Sequence, residues 1–331
     1  MQIETNPPAI PNLDYQCYLD ALREFNTYQE DWLTVGYAPK GFYLKDHCLI
    51  KAGGLYHLFH IAGTPDVSCC LPGNELWIGH ATTADFLQWQ THEPCLYVRP
   101  GCWDGGHVIA PFVVAHEGRF WMLYAGCSVD NTQRIGLAVS DDLFTWERVG
   151  DRPVIRPEEY GWAFCPTQGG ASCRDPHVLR VDEQFLLYYT AVTKQGRACV
   201  ALATSRNLVD WQDCGPCYIA PDLTPCESSN VQEMGGRYYL FFGGHVEHWA
   251  YVVSDTPWSW PTQQPRPVAS GITGMEVVCR HDPLWLVTFF RLGKGHCSGG
   301  FRLFLGILDW SAPLPWIDQV VSGAQLQPFV L

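Results

Sequence analysis

The same two-part signature occurs five times along this chain, and that repetition constrains the fold more than any local propensity does. The first part is an apolar strand, a short polar or glycine turn and an aromatic strand. It reads DHCLIKAGGLYHLFH from residue 46, APFVVAHEGRFWMLYAG from 110 and DPHVLRVDEQFLLYYTA from 175. It returns as ESSNVQEMGGRYYLFFGG from 227 and EVVCRHDPLWLVTFFR from 276. Each of these is the pattern of a β-hairpin. The second part is another apolar strand that closes, mostly through a Ser/Thr-Asp or Asn turn, on a tryptophan. Those tryptophans are Trp89, Trp146, Trp211, Trp260 and Trp310. Hairpin starts lie 64, 65, 52 and 49 residues apart. Five four-stranded units in succession predict an all-β chain folded as a five-bladed β-propeller, a single domain. A two-sheet sandwich also uses short strands, but it leaves the fivefold alternation of the two signatures unexplained.

The first 40 residues lack the repeat and read as an N-terminal extension, with residues 41–331 forming the propeller. NLDYQCYLDALREF (12–25) predicts one short helix packed beneath the ring, and the terminal VSGAQLQPFVL predicts a strand that helps to close it.

Charge and composition narrow the partners. With 21 Lys+Arg against 34 Asp+Glu the formal charge is −13, which argues against nucleic acid or an anionic membrane surface. No apolar run is long enough for a membrane-spanning helix. The start MQIETNPPAIPNLDYQ has neither the basic nor the apolar region of a leader, so a cytoplasmic location is expected. The 15 cysteines include one Cys-x-x-Cys pair, Cys214 and Cys217, without the second pair that a zinc site needs. They read as reduced, mostly buried thiols.

In a propeller, equivalent positions of the inner strands converge on the central channel. Asp46, Asp175 and Glu227 open the first, third and fourth hairpins. Three acids in one ring repel each other and lose water, so at least one holds its proton while another ionises. Glycoside cleavage requires such a pair, one acid to protonate the leaving oxygen and one carboxylate across the sugar ring. Each acid also has a plainer reading as a turn residue, and Glu233 competes with Glu227.

On these residues the chain resembles the five-bladed propeller glycosidases of glycoside hydrolase families 43, 32 and 68. Arg174-Asp175-Pro176 is similar to the Arg-Asp-Pro motif of the fructosidase-like families. Gly236, Tyr238, Tyr239 and Leu240 follow Glu227 much as family 43 places a glycine-aromatic strand after its acid. The resemblance covers about residues 35–310. It implies that Asp46 is a general base in an inverting enzyme or the nucleophile in a retaining one. It further implies that Asp175 stabilises the transition state and that Glu227 is the general acid. With no sandwich domain after residue 310, the single-domain family 43 enzymes are the better fit. Two departures stand out: Asp46 is followed by His47 rather than proline, and Glu227 by Ser228-Ser229 where relatives carry Gly-Pro or Cys-Pro.

Further candidates for substrate contact are Trp103, Asp104 and His107 in WDGGHVIAP, Arg174 beside Asp175, and Ser228 beside Glu227. The chemistry requires no cofactor. Some relatives hold calcium in the channel near a histidine of the fifth blade, which makes His281 and His296 the candidates here. The expected partner is a small carbohydrate or glycoside, a furanoside, pentoside or short oligosaccharide, turned over by hydrolysis or transfer. A propeller that binds sugar without turnover, and one repurposed for a biosynthetic reaction, are the alternatives. The sequence is silent on oligomeric state.

Overall fold

The computed structural model describes residues 32–65, 73–166, 171–221, 226–243, 249–292 and 301–329. These residues form five antiparallel four-stranded sheets, each built from consecutive strands. Blade 1 holds β1 (Tyr43–Ala52), β2 (Leu55–Gly63), β3 (Trp77–Thr83) and β4 (Gln90–Tyr97). Blade 2 holds β5 (His107–His116), β6 (Arg119–Cys127), β7 (Gln133–Ser140) and β8 (Glu147–Arg148). Blade 3 holds β9 (Cys173–Val181), β10 (Gln184–Val192), β11 (Ala198–Ser205) and β12 (Gln212–Ile219). Blade 4 holds β13 (Glu227–Met234), β14 (Arg237–Gly243), β15 (Trp249–Ser254) and β16 (Arg266–Ala269). Blade 5 holds β17 (Thr273–His281), β18 (Leu284–Leu292), β19 (Phe301–Asp309) and β20 (Ile317–Gln319). The first strand of each blade touches the first strand of the next, and β17 touches β1, so the ring is closed around a channel. The expected five-bladed propeller is the fold of this chain.

Both parts of the repeat have a visible cause. The hairpin gives the two inner strands of each blade, and the tryptophan sits just before the outer strand. Between β7 and β8, Ser140 Oγ accepts from the Leu143 amide, while Asp142 Oδ1 accepts from the amides of Phe144 and Thr145. Thr83 with Asp85, and Ser205 with Asn207, form closely similar turns in blades 1 and 3. Such side chains satisfy backbone donors that the ladder has released. Trp146 and Trp211 then tie down the turn by donating to the carbonyls of Leu143 and Leu208.

Aromatic packing between blades supplies the core. Trp249, Trp285, Tyr188, Tyr189, Phe59 and Phe241 are fully buried. Among the described cysteines, Cys48, Cys127, Cys173, Cys199, Cys217 and Cys226 are buried.

The chain end departs from expectation. The described part of VSGAQLQPFVL is a 3-10 helix (Gly323–Phe329) rather than a closing strand. Pro328 lacks an amide to give to a ladder, and Gln325 Oε1 caps the turn by accepting from the amides of Val321 and Ser322. Leu326 and Phe329 anchor it against Leu33, Tyr56 and Leu305 across the seam between blades 5 and 1. A short bridge adds to the closure, since Tyr37 and Leu303 exchange backbone hydrogen bonds of 2.8 Å. A four-residue helix, α1 (Trp32–Val35), precedes that bridge, and the helix expected at 12–25 lies outside the described residues. Among the described residues no helix is long and apolar enough to cross a membrane.

Candidate active site

The first strand of every blade carries a β-bulge beside the channel, and β17 carries a second one at Val277/Cys279. The ladder register breaks at Lys45/His47 in blade 1, Ile109/Phe112 in blade 2 and Arg174/His177 in blade 3. It breaks again at Glu227/Asn230 in blade 4 and Thr273/Glu276 in blade 5. An extra residue in one strand kinks it and re-aims its side chains. Here the five bulges point the pairs Asp46-His47, Ala110-Pro111, Asp175-Pro176 and Ser228-Ser229, together with Gly274, into one axial cavity. Glu276 completes its wall.

The bulges hold unusual backbone. Ala110, Asp175 and Ser228 have φ of +48°, +57° and +50°. Left-handed residues of this kind are strained by about 1–3 kcal/mol each and cluster at functional sites. Blade 5 solves the same problem with Gly274 at φ +60°, where a Cβ would lie 2.2 Å from the Phe290 ring.

Three of the predicted residues meet directly. Ser228 Oγ donates to Asp46 Oδ1 at 3.1 Å, and the Ser228 amide donates to Asp175 Oδ2 at 3.0 Å. Thr190 Oγ1 donates to the same Asp175 oxygen at 2.7 Å. Ser228 therefore holds the two carboxyls of blades 1 and 3 in one frame from blade 4. Burial, reinforced by the charge of Asp175, pushes the Asp46 carboxyl up to about 7, with Lys45 and the Ser228 bond acting in the opposite direction. Removing a carboxylate from water penalises its charged form, and a neighbouring anion adds to the penalty.

Glu227 stands one residue before the blade 4 bulge, its side chain 40% exposed at the rim. Arg174 Nη2 holds its Oε1 at 2.8 Å, while Arg174 Nε lies 3.5 Å from Asp175 Oδ2. One guanidinium thus links the two acids, and Gln133 Oε1 steadies it at 3.3 Å. Glu233, the competing acid, sits at the hairpin end of β13 and accepts from the Gly236 amide in the turn.

The WDGGH segment occupies a different place. Asp104 is fully buried between Arg99 and Arg148, at 3.0 and 2.8 Å, and accepts from Tyr124 Oη. Trp103 stacks on Tyr124 and donates to the Asp151 carbonyl. His107 is buried, with Nδ1 2.8 Å from the Asn74 carbonyl. None of the three lines the cavity; they brace the entry into blade 2. Sequence gave no means of separating a channel loop from a bracing loop here, because both use Trp, Asp and Gly.

Glu276 is the site residue that the sequence reading passed over, although the repeat places it at the start of the fifth hairpin. Burial and the charge of Asp46 hold its carboxyl well above the usual range. Asn230 Nδ2 donates to its Oε2 at 2.7 Å, and Gln232 supports Asn230 at 2.8 Å.

The described residues do not assemble the channel cation site that the resemblance implies. His281 lies at the exposed hairpin end of blade 5 against Phe329, and His296 falls outside the described residues. No group of three or more His, Cys, Asp or Glu suited to a metal ion occurs among the described residues.

Comparison with known proteins places this geometry. An insoluble beta-fructofuranosidase of Arabidopsis thaliana is 27% identical over 170 residues, 48% of this chain and 26% of that protein. Sucrose-6-phosphate hydrolase of Bacillus subtilis is 30% identical over 154 residues, 44% of this chain and 28% of the relative. The matched part thus spans only about a quarter of the length of these curated relatives. Among solved structures, the family 32 beta-fructofuranosidase of Bombyx mori superposes with a TM-score of 0.70 at 12% identity, covering 93% of this chain and 70% of that one. A thermostable family 43 glycoside hydrolase superposes at 0.65 with 16% identity, covering 86% of this chain and 94% of that one. The family model for the glycosyl hydrolases family 32 N-terminal domain matches residues 37–270, more than half of the chain. The match falls on the family 32 branch of the expected group rather than the family 43 branch, and the chain belongs to the glycosyl hydrolase family 32 N-terminal domain family.

Proposed function

We propose that this protein hydrolyses β-fructofuranosides, taking a terminal fructosyl unit into the axial cavity. Asp46 is the nucleophile, Glu227 the general acid and base, and Asp175 the residue that holds the sugar and stabilises the transition state. The observation that carries the reading is the Ser228 bridge, which sets Asp46 and Asp175 together at the cavity wall with Glu227 one residue away.

In the first step the Asp46 carboxylate attacks the anomeric carbon while Glu227 gives its proton to the departing oxygen. In the second step Glu227 takes a proton from water, the water oxygen displaces Asp46, and the sugar leaves. Glu227 thus serves as acid in the first step and as base in the second, while Asp46 is first the nucleophile and then the leaving group. Asp46 must be ionised to attack, so its raised pKa makes activity rise with pH through neutrality. Arg174 orients Glu227 through the 2.8 Å pair and offers further N–H groups to sugar hydroxyls.

The names of the two curated relatives support a fructosyl substrate. The testing experiment is release of fructose from sucrose, short fructans and an aryl fructofuranoside, run beside pentosides as controls. Turnover confined to the fructosides supports the proposal. Turnover of pentosides alone, or sugar binding without turnover, overturns it.

A further inference from the structure

Proline occupies the second bulge position in blades 2 and 3, as Pro111 and Pro176. Blades 1 and 4 place polar side chains there instead, His47 and Ser229, and both line the cavity. They are 4% and 2% exposed. His47 spends Nε2 on Thr288 Oγ1 at 2.8 Å. Its Nδ1 and the Ser229 Oγ, both buried, have no hydrogen-bond partner among the described residues. An unpaired polar atom in so dry a place is destabilising by about 1–3 kcal/mol, and such atoms are rare without a reason. Glu276 borders the same cavity from blade 5, with Oε2 already taken by Asn230.

We propose that His47 Nδ1, Ser229 Oγ and the Glu276 carboxyl form a hydroxyl-binding floor that grips the sugar ring seated in the channel and decides which sugar is accepted. The inference rests on the fructosidase reading and adds its specificity element. Three blades converge there, and each supplies a group with hydrogen-bonding capacity to spare. Burial keeps His47 neutral, with its pKa lowered to about 3, and favours the protonated form of Glu276. The floor therefore offers a carboxylic O–H and a serine hydroxyl as donors, with the imidazole as donor or acceptor according to its tautomer. It suits an uncharged, polyhydroxylated ring, because a phosphate or carboxylate seated there meets the negative charges of Asp46 and Asp175 and no cation on the floor itself.

The test is kcat/KM of the full chain on sucrose and on sucroses lacking one hydroxyl of the fructosyl unit at a time, in wild type, Glu276→Gln, Glu276→Ala and Ser229→Ala. At least one deoxy analogue is expected to lose ~10-fold or more in wild type, since a site built for a hydroxyl is left unpaired without it. Glu276→Ala shrinks that penalty below ~3-fold for its own analogue only, and Glu276→Gln preserves it because the amide still accepts from Asn230 and donates inward. Ser229→Ala removes no bond within the protein, so it carries the test if Glu276→Ala does not fold. Penalties that stay additive for every analogue in the alanine variants overturn the floor while leaving the fructosidase reading intact. A wild type that turns over no fructoside overturns both.

Discussion

Ser228 of blade 4 reaches across the channel to Asp46 of blade 1, 182 residues away in sequence, with Oγ 3.1 Å from Oδ1. Its amide simultaneously holds Asp175 at 3.0 Å. Both bonds depend on the left-handed backbone of Ser228 at φ +50°. Strain in the backbone and geometry in the site are therefore the same feature seen twice, and the Ser228 bond opposes the upward push that burial and Asp175 give the Asp46 carboxyl.

Two variants should move the acidic limb of the kcat/KM profile in opposite directions. That limb is expected near pH 7, where Asp46 titrates. Ser228→Ala removes a bond that favours the carboxylate and shifts the limb up by about one pH unit, worth ~1.4 kcal/mol. Asp175→Asn removes the charge that disfavours the carboxylate and shifts the limb down, in whatever activity survives. Shifts of the same sign would show that another group controls the limb.

The raised pKa of Asp46 is also a statement about stability. Its folded value, about 7, lies above the ordinary 3.8, so the folded chain holds this proton more tightly than the unfolded one. The stability that the proton supplies is complete below about pH 4 and is lost as pH rises to about 7. Asp46→Asn should therefore match wild type near pH 4 and exceed it in Tm at pH 8, by roughly 2–4 °C for each kcal/mol recovered. Thermal melts across this range check the sign directly. A variant less stable than wild type at pH 8 contradicts the burial argument.

Arg174 joins Glu227 to Asp175 through a planar fork that a lysine lacks. Arg174→Lys should lower kcat/KM by ~100-fold or more, comparable to loss of a positioned acid–base group, with Tm nearly unchanged. Steady-state kinetics beside a thermal melt separates the two effects. Near-normal kinetics in the lysine variant would reduce Arg174 to a source of charge.

Asp104 predicts the reverse pattern. It is fully buried between two arginines, and breaking such a pair is destabilising by about 3–5 kcal/mol because charges are left without a partner. Asp104→Asn should lower Tm strongly while the folded fraction keeps its kcat. A fall in kcat at unchanged Tm would return Asp104 to the substrate site.

Much of this was legible in the sequence because a repeated unit reports spatial equivalence. The five hairpins and the five tryptophans mark blades, and the hairpin starts bring Asp46, Asp175 and Glu227 to one end of the channel without coordinates. The one-residue offset of Glu227, which lies before its bulge while Asp46 and Asp175 lie within theirs, was not legible. Bulges are set by register between strands, and a single strand does not display its register. Glu276 was missed for a related reason: it directly follows the first bulge of β17, and the shift in register that brings it to the cavity is not displayed by a single strand. Trp103 and Asp104 misled in the other direction, since an aromatic beside an acid describes a sugar platform and a packed ion-pair loop equally well.

The most direct measurement of the central claim is fructose release from sucrose by wild type and Glu227→Gln, with an aryl fructofuranoside as the second substrate. Wild type should release fructose from both. Glu227→Gln should lose ~100- to 10,000-fold on sucrose, the share owed to a positioned general acid, and far less on the aryl substrate, whose leaving group needs little protonation. Equal rates in the two proteins, or no release by wild type, would contradict the account.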